Sequence, residues 1–242
     1  MPATDKGRAP LTLTAVRSRT VSCARCPELR RYCREVAARG KREFAGESYW
    51  GKPVPSLGSA SARLLLVGLA PAAHGGNRTG RMFTGDGSAA WLARALHRAG
   101  FATSARSVRQ RDGFALVDAF ITAALRCAPP KNKPTREQLA KCAVHMRAEL
   151  SLLRNLRVVI GLGRVGFDAA VDRLRDAGYD AGAARPRFGH GASFDVRPPQ
   201  GRPPVTLLGC FHPSRQNTNT GKLTEAMLDA VLGQARRIVE NR

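Results

Sequence analysis

Cys23 and Cys26 form a C-x-x-C pair, and Cys127 and Cys142 follow about a hundred residues later. Four thiolates drawn together from such positions hold zinc or an iron–sulfur cluster, and residue types alone leave the two open. A C-x-x-C is a weak signal by itself. It gains weight here because Cys127 lies in a second polar segment, Arg126-Cys127-Ala128-Pro129-Pro130-Lys131-Asn132-Lys133-Pro134. Two further segments carry reactive or ligand-binding side chains. The run from Gly68 through Leu69, Ala70, His74, Asn77, Arg78, Arg81 and Phe83 to Asp86 is dense in glycine. Backbone N–H groups there can approach a ligand closely, with Arg78 and Arg81 as phosphate partners and Phe83 suited to stacking on a base. The G-K-[ST] of a P-loop is absent. Asp86 stands where loop gives way to helix, as an N-cap or as a reactive carboxylate. His74 serves a turn or a ligand. The third segment runs from Phe211 through His212, Ser214, Arg215, Gln216 and Asn217 to Gly221, and puts His212 at a strand end, either facing a crevice or satisfied internally.

The elements that must position these segments alternate between two periods. Continuous apolar runs at Arg63–Leu69, within Phe114–Leu125, at Leu156–Leu162 and at Val205–Phe211 predict four strands buried on both faces. Helical spacing predicts helices over 24–45, Ser88–Gly100, Thr135–Leu153 (capped by Thr135 with Gln138), Val165–Ala177 and Leu223–Val239. The alternation implies a three-layer α/β/α sandwich with a central, mostly parallel four-stranded sheet. Ligands in such sheets bind beyond the carboxyl ends of the strands, and all three polar segments follow a strand end. Residues 1–16 read as a flexible basic arm, 17–242 as a single domain, and 178–204, rich in Gly, Pro and Arg, as an irregular excursion.

With 40 Lys and Arg against 18 Asp and Glu, the formal net charge is +22, which favours a polyanionic partner, nucleic acid ahead of a membrane surface. No apolar run approaches the roughly 20 residues of a membrane span, and the first residues lack a signal peptide's apolar stretch. A cytoplasmic protein is expected, in which paired cysteines are metal ligands rather than disulfides.

Taken together, Gly68-Leu69-Ala70-Pro71, Asn77-Arg78-Thr79-Gly80-Arg81, Phe83-Thr84-Gly85-Asp86, Ala128-Pro129-Pro130-Lys131-Asn132-Lys133-Pro134-Thr135 and His212-Pro213-Ser214-Arg215-Gln216-Asn217 resemble the uracil-DNA glycosylase superfamily, in its iron–sulfur branch called family 5 or type b. The resemblance extends from about Ser22 to Ile238. It implies a monomeric, monofunctional DNA repair enzyme that flips uracil out of DNA and hydrolyses the N-glycosidic bond, leaving an abasic site. By the same resemblance, Asp86 orients the attacking water or stabilises the oxocarbenium character of the sugar, and His212 donates to O2 of the leaving base. Phe83 stacks on that base, Asn132 reads its Watson–Crick edge, and Gly68, Leu69, Ala70 and His74 complete the pocket. Asn77, Arg78, Arg81 and the loop of Ser214, Arg215, Gln216 and Asn217 face DNA, the loop filling the gap left by the base. Cys23, Cys26, Cys127 and Cys142 hold a structural 4Fe–4S cluster, while Cys33 and Cys210 are small thiols. Leu69, apolar where other branches place a polar residue, implies a pocket tolerant of hypoxanthine, xanthine and ethenocytosine. Ala72 and Met82 depart from the Gly and Pro usual at those places. The alternative to an enzyme is a cluster-bearing DNA-binding module.

Overall fold

The computed structural model describes residues 10–241. Its strands are β1 (Leu57–Gly58), β2 (Leu64–Gly68), β3 (Ala119–Ala123), β4 (Val158–Leu162), β5 (Ser193–Val196) and β6 (Val205–Cys210). Its helices are α1 (Leu13–Val21), α2 (Pro27–Arg39), α3 (Gly76–Thr79), α4 (Gly87–Arg98), α5 (Arg136–Leu152), α6 (Gly163–Asp176), α7 (Arg215–Asn219) and α8 (Glu225–Glu240). Every residue of β2, β3, β4 and β6 is buried, as strands covered on both faces require. The pleat sorts them. Leu64, Leu66, Ile121, Val158, Ile160 and Leu208 pack on one face beneath α4 and α8, while Leu65, Val67, Phe120, Val159 and Leu207 pack on the other beneath α5 and α6.

The strand order is β1-β3-β2-β4-β6-β5, and the four inner strands pair in parallel. The α/β/α reading therefore holds, but the described sheet has six strands rather than four. Short antiparallel edges, β1 on β3 and β5 on β6, close the two sides. Both escape a sequence reading for physical reasons. β1 is two residues long, and β5 leaves two of its four residues exposed inside the stretch expected to be irregular.

Two further expectations are corrected. Helix α1, capped by Thr12 and burying Val16 and Thr20, begins inside the segment read as an arm; residues 1–9 of that arm lie outside the described residues. The segment after His212, expected as a loop, contains α7, a five-residue helix capped by Ser214. The helix expected over 24–45 is α2 followed by a 3-10 turn at Arg42–Phe44. α5 carries the predicted capping box, with Thr135 accepting from the Gln138 backbone and Gln138 Oε1 accepting from the Thr135 backbone.

Candidate active site

The parallel strands β2, β3 and β6 end at Gly68, Ala123 and Cys210, so their following loops open on one rim. The loop after β2 is stitched to the one after β3: Ala124 N donates to Gly68 O at 2.9 Å and Leu125 N to Leu69 O at 3.0 Å. Leu69 and Ala70 are half-buried along this seam. Phe83 lies directly over Gly68, where a Cβ would sit 2.9 Å from Phe83 Cε2. The ring needs the space that only glycine leaves. Its other neighbour is His212, with ring centroids 5.8 Å apart and planes at 31°.

Phe83 has φ 45°, a left-handed backbone that an aromatic residue adopts only under constraint. The constraint is visible. Ser107 Oγ donates to Phe83 O at 3.0 Å and lies 2.8 Å from Thr84 Oγ1. Arg81 ties the set together, from Nε to Thr84 Oγ1 (2.8 Å) and from Nη2 to Ser107 Oγ (3.0 Å) and Asp112 Oδ2 (2.8 Å). Asp112 also accepts from the backbone of Val108, Arg109 and Phe114. Buried Met82 anchors the preceding position.

Asp86 is the N-cap of α4, with Oδ1 accepting from Ala89 N at 2.8 Å, so the bland reading of this residue is realised in the structure. The cap leaves Oδ2 beside Gly75, whose missing Cβ makes room for it. Burial raises the Asp86 pKa above the ordinary carboxylate value, against the opposing pull of the Ala89 and Ser88 N–H groups and of Arg215 and Arg78. Arg215 is exposed and lies against Gly87, the residue after Asp86. His212 is half-buried, and loss of solvent brings its pKa down to about 4, which keeps the imidazole neutral at physiological pH. Asn217 Nδ2 donates to His212 O at 2.8 Å, so α7 holds the main chain of His212. His74, half-buried with its pKa lowered chiefly by burial, pairs through Nδ1 with Tyr49 Oη at 3.0 Å.

Other expected residues are placed differently. Asn77 is 1% exposed and donates from Nδ2 to Cys33 O at 3.2 Å. Arg78 is buried under Phe44, 3.7 Å from the ring centroid, and is bound to Glu47, His74 O and Gly85 O. With Arg81 committed as above, these three side chains are turned inward and brace the loop. Arg215 and Gln216 do face solvent, whereas Ser214 and Asn217 are half-buried. Asn132 is exposed on a 3-10 turn (Pro130–Asn132), and both Lys131 and Asn132 have positive φ (54° and 55°). Its side chain makes no hydrogen bond among the described residues, which leaves both ends of the amide for a ligand. His190 accepts from Phe211 N at 3.1 Å and stacks on its ring, a bracing role at the end of β6.

Cys23, Cys26, Cys127 and Cys142 line one cavity with Arg25, Leu29, Arg30, Arg126, Lys141 and His145. They come from the α1–α2 junction, the segment after β3 and α5. All six cysteines are free thiols, with Cys33 and Cys210 fully buried outside that lining. Burial pushes the Cys142 thiol up to about 11. Among the described residues, no group of three or more His, Cys, Asp or Glu side chains is drawn around a single metal ion. The cavity wall nevertheless suits an anionic occupant: Arg126 Nε and Nη1 and Arg30 Nη1 are buried donors without a partner. His145 is buried in this wall. Thr20 Oγ1 donates to Val16 O, so its contact with His145 Nδ1 (3.2 Å) is as an acceptor, which puts a proton on Nδ1. Sequence spacing gives no sign of Tyr49 or Arg126, whose partners His74 and Glu149 stand 25 and 23 residues away; the Cys142-x-x-His145 spacing, one helical turn, is the available clue to His145.

The chain matches the model of the Uracil DNA glycosylase superfamily over residues 55–236. It is 46% identical over 217 residues to a type-5 uracil-DNA glycosylase of Mycobacterium tuberculosis (strain CDC 1551 / Oshkosh), covering 89% of this chain and 78% of the relative. It is 46% identical over 219 residues to a type-5 uracil-DNA glycosylase of Thermus thermophilus, covering 90% and 94%. A type-5 uracil-DNA glycosylase of Pyrobaculum aerophilum is 44% identical over 218 residues, covering 90% and 89%.

Proposed function

The chain belongs to the uracil-DNA glycosylase superfamily, and from that premise we propose that it excises uracil from DNA through Asp86 and His212, acting as a monomer without lyase chemistry. The observation that carries this assignment is their setting: a half-buried carboxylate shortly after Phe83 in the same loop, and a neutral imidazole whose ring centroid lies 5.8 Å from that of Phe83. The flipped base stacks on Phe83, and the amide of Asn132 meets its Watson–Crick edge with a donor and an acceptor. The bond between N1 of the base and C1′ of the sugar breaks, and the electron pair leaves with the base. His212 donates an N–H to O2, where that charge collects, in the manner of an oxyanion hole. Asp86 Oδ2 orients water and takes its proton as the oxygen bonds to C1′, giving free uracil and an abasic site. Leu69 adds no polar demand to the pocket, in keeping with a range that includes hypoxanthine, xanthine and ethenocytosine.

Duplex grips the protein through Arg215, Gln216 and the general positive charge rather than through Asn77, Arg78 or Arg81, and α7, with Ser214 and Asn217 shaping it, enters the gap left by the base. The described residues, α1 included, work as one domain. The four cysteines suit a 4Fe–4S cluster, with partnerless buried guanidinium N–H donors of Arg126 and Arg30 on residues that line the same cavity. When bound, it supplies a crosslink and no step of base removal. No described helix is long and apolar enough to cross a membrane, in keeping with a cytoplasmic, nucleoid-associated enzyme. Incubation with uracil-containing duplex followed by alkali tests the proposal. Strand breaks are expected with the wild type, and their persistence at the wild-type rate with Asp86→Ala would remove Asp86 from the chemistry.

A further inference from the structure

A buried donor without a partner costs about 1–3 kcal/mol, so folded proteins keep few of them. Arg126, 1% exposed, has two such nitrogens, Nε and Nη1. The rest of the residue is fixed. Nη2 donates to Glu149 Oε2 at 2.5 Å, and Glu149, itself 1% exposed, also accepts from Thr122 Oγ1 at 2.7 Å. The Arg126 carbonyl accepts from Val54 N at 2.8 Å, and its backbone N–H donates to Cys142 Sγ at 3.3 Å. A guanidinium is a rigid fork with five N–H donors. Pinning one prong to Glu149 determines where the other donors stand, on a residue that lines the four-cysteine cavity.

We infer that the unpartnered N–H groups of Arg126 donate hydrogen bonds to the sulfurs of the occupant of this cavity, and that Glu149 is the positioning residue that aims them. The inference rests on the reading that the occupant is a 4Fe–4S cluster. Hydrogen bonds to cluster sulfurs stabilise the more negative, reduced state and raise the reduction potential, as does nearby positive charge. Glu149 thus has two separable effects: it orients the donor and offsets its charge.

The test uses full-length protein purified without oxygen, assayed for iron and acid-labile sulfide and then for midpoint potential by film voltammetry. Arg126→Met combined with Glu149→Gln removes one positive and one negative charge, so net charge is unchanged and only the donors are lost. Its potential is expected to fall by about tenfold in the reduction equilibrium, about 59 mV for one electron. Glu149→Gln alone keeps the cation and removes its counter-charge, and is expected to shift the potential the opposite way. Arg126→Lys, with charge but no fork, is expected between the wild type and the double variant, and together with Glu149→Gln it carries the test if the double variant does not fold. Variants with wild-type iron content and unchanged potential, or shifts in one direction for all three, overturn the inference and leave the cluster in place. A wild-type protein free of iron and sulfide removes the cluster reading itself, and this inference with it.

Discussion

Asp86 is asked to cap a helix and to carry a charge in a site that has little water. The first role favours the carboxylate and the second opposes it, and burial prevails, since the net shift is upward. With a folded pKa above the unfolded value, the group's contribution to stability is present below the unfolded pKa and is lost as pH rises through the folded one. Asp86→Asn keeps a capping oxygen and removes the charge. We expect a melting temperature equal to or above that of the wild type by calorimetry, with single-turnover base release slowed about 10²–10⁴-fold. His212 has the opposite sign. Its folded pKa of about 4 lies below the unfolded value, so the stability it contributes is lost as pH falls from about 6.5 toward 4. The neutral ring persists across that window, so an acid loss of base release should follow Asp86 and remain in His212→Ala. That variant should slow release about 10²–10³-fold while changing DNA affinity, read by anisotropy, far less; equal losses would assign His212 to positioning. Asp86, His212 and Phe83 were legible because reactive residue types follow strand ends. The direction of Asn77, Arg78 and Arg81 was not. Their partners Cys33, Glu47 and Asp112 stand 44, 31 and 31 residues away, and no local spacing reveals such pairs.

At the scale of elements, the loop between β2 and α4 is a constructed object rather than a flexible connector. Arg81, Thr84, Ser107 and Asp112 hold Phe83 in a backbone conformation that costs on the order of 1–3 kcal/mol. Ser107→Ala removes the donor to Phe83 O and a partner of Thr84. We expect thermal unfolding to show a loss of about 1–3 kcal/mol, and KM for a uracil-containing oligonucleotide to rise as the ring loses its fixed position. An unchanged KM beside the stability loss would separate the brace from base binding. Helix α7 is short enough to depend on its cap, so Ser214→Ala should cost about 1 kcal/mol. The inner strands were legible because continuous apolar runs have one good solution, a sheet covered on both faces. The edges and α7 were not: β1 is two residues long and pairs with the distant β3, β5 leaves half its residues exposed, α7 is a single short turn of five residues, and none has an apolar period of its own.

For the whole molecule, the excess of 22 positive charges is the least local feature and the easiest to test. Binding to undamaged duplex should weaken linearly on a log–log plot against salt, with a slope of about −0.9 per phosphate neutralised. A flat plot would mean that the surface charge does not engage the backbone. Part of that charge already faces acids or carbonyls of the protein: Arg185 pairs with Asp172 and Arg197 with Asp180 at the surface, and Arg202 donates to carbonyls at the end of α5. The four-cysteine cavity has a further consequence for the molecule as a polymer. Bonds from one occupant to Cys26 and Cys127 would convert the chain between them into a ring of about a hundred residues, a constraint comparable with a disulfide worth about 4.7 kcal/mol. Phe83 and Asp86 lie inside that ring and His212 lies outside it. Opening the ring would therefore relax Asp86 without His212, and occupancy of the cavity would govern how well the two halves of the site stay in register.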